Sequence, residues 1–85
     1  KGDPVGQAEK AMQNVEQLLK EAGSNLADIC KVTTYIPDHS HRKLIYPVIG
    51  RYLKGVHPTS TGIVPMALAN PELDFEIDVF AVKSV

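Results

Sequence analysis

Residues 73–82, LDFEIDVFAV, alternate between apolar and acidic side chains over most of their length. Successive side chains of a β-strand point to opposite sides of its sheet, so a period of two predicts a strand with two different faces. One face would carry Leu73, Phe75, Ile77, Val79 and Ala81, and the other Asp74, Glu76, Asp78, Phe80 and Val82. The segment therefore requires a sheet whose apolar face is covered by another layer.

Two segments can supply that covering layer. Apolar side chains recur every three or four positions in residues 5–22, which predicts an amphipathic helix that Asp3-Pro4 begins and Gly23 ends. Residues 39–55 are also helical in composition. Pro47 lies in the interior of this second segment, and we expect it to kink or split the helix.

Two further strands are predicted, at residues 29–36 and 60–66. The first, ICKVTTYI, alternates: Cys30, Val32, Thr34 and Ile36 share one face, and Lys31, Thr33 and Tyr35 share the other. Helices that alternate with strands in this order predict an α+β domain. We expect its helices to pack on one face of a mixed β-sheet.

Neither a disulfide bond nor a bound metal ion is expected to stabilise this domain. The chain has 85 residues and one cysteine, Cys30, and its histidines and cysteine lack zinc-site spacing. Small domains that lack disulfide bonds and metal ions gain stability from subunit interfaces. The second face of the sheet, with Glu76, Asp78 and Phe80, is too apolar for solvent and too acidic for a core, and therefore suits such an interface.

The composition also limits the function. The net charge is −1, with 9 basic and 10 acidic residues and no basic block, which argues against nucleic acid as a partner. There is neither an apolar run of about 20 residues nor a signal peptide, so a cytoplasmic protein without a membrane partner is expected. No cofactor or metal is expected, because His39 and His41 are two residues apart on a helix and cannot share a ligand.

Glu76 is the strongest catalytic candidate. On a central strand it is either an ordinary solvated carboxylate or one held beside an apolar surface, where desolvation raises the pKa and suits it to proton transfer. Ser60, Thr61 and Gly62 either begin a strand or expose amides and hydroxyls to an anion. Cys30 is expected to be a buried, inert thiol, because it shares a face with Val32.

Four stretches together resemble the RidA/YjgF family of enamine/imine deaminases, which also carries the names translation initiation inhibitor and endoribonuclease L-PSP. They are QAEKAMQNVEQLLKEAGSNLADICKVTTYIPD, YPVIGRYLKGVHP, PTSTGIVPMAL and FEIDVFAV. The resemblance implies a chorismate-mutase-like subunit of a homotrimer, with sheets in a central barrel, helices outside and ligand clefts between subunits. It also implies that residues 1–85 are a single RidA/YjgF-like domain whose N-terminal strands are missing.

The resemblance assigns roles residue by residue. Glu76 matches the family glutamate that positions the water attacking an imine carbon. Ser60 stands where family deaminases have an arginine that binds the substrate carboxylate, Gly62 where they have a small residue, and Tyr46 where an asparagine lines the pocket. The expected ligand-binding set is therefore Ser60, Thr61, Gly62 and Tyr46 in an arginine-lacking variant, with Arg51 and Lys54 as the nearest cations in the sequence.

Three functions follow as alternatives. The first is hydrolysis of an enamine or imine to a carbonyl compound and ammonia. The second is a non-catalytic metabolite-binding or regulatory trimer that uses the same cleft for a small molecule. The third, endoribonuclease or translation-inhibitor activity, is disfavoured by the charge balance.

Overall fold

The computed structural model of the chain describes residues 2–83. Its elements are helix α1 (Pro4–Glu21), strand β1 (Ile29–Tyr35), helix α2 (Arg42–Tyr52), strand β2 (Thr59–Ile63) and strand β3 (Glu76–Ala81). Single turns of 3-10 helix at Leu26–Asp28 and His39–His41 precede β1 and α2. The predicted order of helix, strand, helix, strand, strand is confirmed.

The sheet has the strand order β2-β1-β3, with β1 in the centre. The expectation that the strand with Glu76 is central is therefore wrong for the sheet within residues 2–83. β1 runs parallel to β2 and antiparallel to β3, so the sheet is mixed. Parallel neighbours need a long crossover connection, and α2 provides it between β1 and β2. The expected α+β class with a mixed sheet is confirmed.

Helix α1 begins and ends where the sequence predicts. The Asp3 side chain accepts a hydrogen bond from the Gly6 amide at 3.0 Å, and Pro4 occupies the first helical position. Gly23, just beyond the helix, has a φ of +77°, a conformation that residues with a Cβ rarely adopt.

Helix α2 is continuous through Pro47, so of the two expected effects of this proline the split is wrong, and the kink stays a prediction. Proline removes one backbone hydrogen bond, here the one to the carbonyl of Lys43. Both Pro47 and Lys43 are exposed, so water can reach the freed carbonyl. The loss is therefore tolerated without ending the helix.

Both helices contribute to one core on one side of the sheet. Its buried members are Ala8, Met12, Ile36, Ile45, Val48, Ile49 and Phe75. Thr34 on the central strand is also buried, with 1% of its surface exposed. The helix-facing side of the sheet is thus the side that the sequence assigns to Val32, Thr34 and Ile36.

The two later strands are shorter than predicted. β2 ends at Ile63, before Pro65, which lacks the N–H that a further ladder bond would need. β3 begins at Glu76, the partner of Tyr35 at the end of β1. Upstream of it the Asp74 amide donates to the Gln7 side chain at 2.6 Å, so this segment is held by α1 instead of by a strand.

Cys30 is exposed, so the expectation of a buried thiol is wrong. The pairing of β1 with β3 shifts between Ile29 and Lys31, which leaves Cys30 in a bulge. The extra residue breaks the alternation, so Ile29 is buried in place of Cys30. The Cys30 thiol donates to the Phe80 carbonyl at 3.4 Å.

Candidate functional site

The sheet face opposite the helices, here called the open face, carries most of the acidic and aromatic side chains of the strands. The strand registers place on it Lys31, Thr33, Tyr35, Thr61, Ile63, Glu76, Asp78 and Phe80. Tyr35 is the cross-strand partner of Glu76, and Thr33 is the partner of both Asp78 and Thr61. Paired residues on neighbouring strands have side chains in contact range, so Glu76 has Tyr35 as its direct neighbour.

Tyr35 is held by a carboxylate on this face. Its hydroxyl donates to Asp78 Oδ2 at 3.0 Å. This hydrogen bond, together with desolvation and the negative charges of Asp78 and Glu76, raises the pKa of Tyr35 above its ordinary value of 10.0. The phenol therefore remains neutral at physiological pH, and its oxygen can still accept a hydrogen bond.

A second polar group lies on the helix side of the sheet, at β2. We call it the Gly62 edge site and define it as Thr34, Arg42, Tyr46 and Gly62. Gly62 is the register partner of Thr34 and so lies on the helix side. The Tyr46 hydroxyl is 3.2 Å from the Thr34 hydroxyl, and Arg42 Cζ is 4.8 Å from the centre of the Tyr46 ring.

Gly62 leaves room for two neighbouring side chains. A Cβ at this position would lie 2.5 Å from the Tyr46 hydroxyl oxygen and 2.9 Å from Arg42 Nη1. Both distances are shorter than van der Waals contact, so any larger residue would displace the phenol and the guanidinium. The absence of a side chain is what admits both groups to the edge of the sheet.

The predicted site residues divide between the two faces. Gly62 and Tyr46 lie together on the helix side, and Ser60, the partner of Val32, shares that side. Thr61 and Glu76 lie on the open face. β1 separates β2 from β3, which at about 4.8 Å per strand spacing puts Glu76 about 10 Å across the sheet from β2.

Arg42 is the positively charged residue of the Gly62 edge site, and it was not among the residues predicted from the sequence. Arg51, one of the two expected candidates, instead forms an ion pair with Glu9 of α1. The Lys54 side chain is exposed beyond the end of α2. The spacing of Arg42 and Tyr46, four residues apart on α2, was the available signal, because such residues share one helix face.

A cavity lies elsewhere on the described part of the chain. It has a volume of about 660 Å³ between the turn at residues 37–41 and the loop at residues 66–74, and contains none of the predicted site residues. Asp38 caps the turn, and hydrogen bonds from Ser40 lower its pKa below the ordinary 3.8. His41 Nε2 is 3.4 Å from Asp38 Oδ2.

Neither metal chemistry nor a membrane crossing finds support in the described part of the chain. Within residues 2–83 no three His, Cys, Asp or Glu side chains are grouped to hold a metal ion. Neither helix in that range has the length and apolarity that a bilayer crossing requires.

The family model described as Endoribonuclease L-PSP matches residues 1–83. The chain belongs to the RidA/YjgF family. Protein DfrA of Myxococcus xanthus is 30% identical over 82 residues, which are 96% of this chain and 62% of DfrA. A RutC family protein of Pyrococcus abyssi is 29% identical over 83 residues, covering 98% of this chain and 65% of that protein.

A solved RidA/YjgF structure has the same fold. The crystal structure of Rv2704 from Mycobacterium tuberculosis, a member of the YjgF/YER057c/UK114 family, superposes with a TM-score of 0.83 and 27% identity. The match covers 87% of this chain and 63% of Rv2704. The chain thus spans less than two thirds of the length of each of these three relatives.

Proposed function

We propose that this protein hydrolyses an enamine or imine to a carbonyl compound and ammonia, in a cleft that neighbouring subunits of a homotrimer complete. The observation that carries the proposal is the state of Glu76. Its side chain is exposed on the open face beside Tyr35, and no residue within the range 2–83 donates a hydrogen bond to it. A carboxylate that is free in this way can bind and orient a water molecule.

The reaction needs two proton movements, and Glu76 can serve both. As water adds to the imine carbon, the new C–O bond forms, the C=N π electrons move to nitrogen, and nitrogen takes a proton. The nitrogen of this adduct then takes a second proton, the C–N bond breaks so that ammonia leaves, and the hydroxyl group gives up its proton in exchange as it becomes the carbonyl. Glu76 would accept a proton from the attacking water and return one to the nitrogen.

Tyr35 supports the same role for Glu76. The Tyr35 hydroxyl donates its hydrogen to Asp78 Oδ2 at 3.0 Å, so the Tyr35 oxygen can accept a hydrogen bond from another group. A water between Tyr35 and Glu76 would donate one hydrogen to each and direct a lone pair outwards to the substrate. This orientation is the contribution that we assign to Tyr35.

The trimer is proposed because the open face exposes large apolar side chains. Phe80 is 61% exposed and Ile63 is 40% exposed on it, next to carboxylates. The two residues lie at opposite corners of this face, and covering the face with another subunit would remove both from water. Three such faces turned inwards would form the central barrel that the family resemblance implies, with ligand clefts between subunits in a cytoplasmic protein.

A non-catalytic metabolite-binding trimer is the second candidate. One observation favours it: Gly62 and Glu76 lie on opposite faces of the sheet, so a single chain does not bring the two predicted halves of the site together. RNA cleavage, which the description of the family model names, has less support. Glu76 and Asp78 make the open face acidic, which opposes a phosphate backbone.

Ammonia release from freshly generated 2-imino acids tests the hydrolase. Glu76→Gln, which preserves the size of the side chain, should lower the rate above spontaneous hydrolysis by about 10²- to 10⁴-fold. Glu72→Gln, a control at an exposed loop position, should leave that rate unchanged. Equal background rates for the wild type and Glu76→Gln would end the hydrolase proposal, and ligand binding without turnover would favour the second candidate.

A further inference from the structure

We propose that Arg42, at the start of α2, is the residue that binds the carboxylate of the ligand at the Gly62 edge site. The inference rests on the proposed function for the ligand class, a small 2-imino or 2-oxo acid. It assigns a charged group to a site where the strand residues Ser60, Thr61 and Gly62 supply none.

The Arg42 guanidinium is held in place but its charge is not neutralised. It stacks on the Tyr46 ring at 4.8 Å, and the Tyr46 hydroxyl is itself fixed by Thr34 at 3.2 Å. Within residues 2–83 Arg42 forms no ion pair, whereas Arg51 on the same helix pairs with Glu9. The Arg42 guanidinium is half-buried, fixed in orientation and without an acidic partner in this range, so it can bind an anion.

The backbone of β2 offers a second donor beside it. The Ile63 carbonyl accepts a hydrogen bond from the Ile36 amide at 3.0 Å, so the polar groups of Ile63 point towards β1. Backbone groups alternate in direction along a strand, so the N–H of Gly62 points the other way. β2 is an edge strand of the described sheet, which leaves this amide unpaired within residues 2–83.

The missing side chain of Gly62 provides the space. Arg42 Nη1 lies 2.9 Å from the place that a Cβ would occupy, so the guanidinium and the Gly62 amide are separated by no side chain. A planar carboxylate can take two parallel hydrogen bonds from arginine and one from the amide. The Ser60 hydroxyl, two residues earlier on the same side of β2, extends the set of donors.

Arg42 would thereby replace a cation that Ser60 does not provide. The family resemblance puts an arginine at the position of Ser60, on the strand itself. Here the positive charge reaches the same strand edge from α2, and Gly62 gives it room.

Binding of pyruvate and of its neutral methyl ester to the full-length protein tests the inference, with affinities measured by NMR titration. Arg42→Gln should weaken pyruvate binding by about ten- to a hundredfold, as expected for a lost charged hydrogen bond, and should not change ester binding. Arg42→Lys should give an intermediate affinity, because lysine keeps the charge but not the paired donors. Gly62→Ala, which keeps the guanidinium but moves it, should weaken pyruvate binding as well.

Arg51→Gln is the matched control, since Arg51 lies on the same helix and is paired with Glu9. Its pyruvate affinity should equal that of the wild type. Equal pyruvate affinities for wild type and Arg42→Gln would overturn the inference, as would tighter binding of inorganic phosphate than of pyruvate at the same residue.

Ammonia release by the same variants separates this inference from the proposed function. Gly62 and Glu76 of one chain lie on opposite faces of the sheet, so the Glu76 that acts on a ligand bound by Arg42 would come from a neighbouring subunit of the proposed trimer. If the protein hydrolyses imino acids, Arg42→Gln should mainly raise KM and Glu76→Gln should mainly lower kcat. Arg42-dependent pyruvate binding without Glu76-dependent turnover would support the inference and reject the hydrolase. Turnover that depends on Glu76 with KM and pyruvate affinity unchanged in Arg42→Gln would reject the inference alone.

Discussion

The Tyr46 hydroxyl lies 3.2 Å from the Thr34 hydroxyl, and this contact joins helix α2 to the central strand of the sheet. Thr34 is 1% exposed, so water cannot replace its partner. The Arg42 guanidinium stacks on the ring of the same Tyr46 side chain. One hydrogen bond therefore anchors both the packing of α2 and the position of the cation at the Gly62 edge site.

Removing this hydroxyl in Tyr46→Phe should lower the free energy of unfolding by about 1–3 kcal/mol, because a buried polar group is left without its partner. Denaturant unfolding measures the change. Tyr52→Phe is the control: its hydroxyl donates to Glu9 at 3.2 Å, both residues are only half-buried so that water can hydrate Glu9, and the loss of stability should be smaller. Equal losses of unfolding free energy in Tyr46→Phe and Tyr52→Phe would show that the hydrogen bond to Thr34 stabilises the fold no more than the one to Glu9.

Gly62→Ala should destabilise the fold by about 1–3 kcal/mol, the usual effect of overpacking. The new Cβ would lie 2.5 Å from the Tyr46 hydroxyl, and Tyr46 cannot retreat without breaking the bond to Thr34. Gly50→Ala is a matched control inside α2, where a Cβ meets no atom within 4 Å. It should raise stability by about 0.5–1 kcal/mol, because alanine favours a helix over glycine. Thermal or denaturant unfolding that ranks the two alanine variants in the opposite order would contradict the geometry.

The local periodicities of the chain predicted the elements and the faces of the sheet. α1 needs only its own apolar stripe and the Asp3 cap, and Glu76 and Asp78 fall on one face because a strand alternates. The burial of Cys30 was predicted by the same rule and is wrong. The bulge that exposes it arises from the pairing of β1 with β3, some 50 residues apart, which no local pattern contains.

The candidate site was predictable only in part, for the same reason. Gly62 and Tyr46 were both in the predicted set, and the structure brings them together. Arg42 was missed because its importance depends on a contact with Gly62, which lies 20 positions later in the chain. The separation of Gly62 from Glu76 follows from the strand registers, which the sequence does not encode locally.

The pKa of Tyr35 should be above 10.0 and should fall in Asp78→Asn. The first cause of the raised pKa is the hydrogen bond to Asp78, and the charges of Asp78 and Glu76 add to it. A raised pKa means that the folded state favours the protonated phenol, so this contribution to stability is present below pH 10 and is lost as the pH rises through the folded pKa. Titration of the tyrosine ring carbons by NMR measures the shift. An unchanged pKa in Asp78→Asn would exclude the hydrogen bond as its main cause.

The proposed homotrimer predicts that the open face is sensitive to charge while the outer helices are not. Phe80 is 61% exposed on the open face, and Leu18 is 64% exposed on α1. Burying a phenylalanine against a neighbouring subunit contributes roughly 2–3 kcal/mol, and a buried glutamate reverses the sign. Each substitution acts three times in a trimer, so Phe80→Glu should dissociate the full-length protein in sedimentation experiments, and Leu18→Glu should not. If the wild type and both variants sediment as the same species, the open face is not the interface, and a cleft completed by a second subunit loses its support.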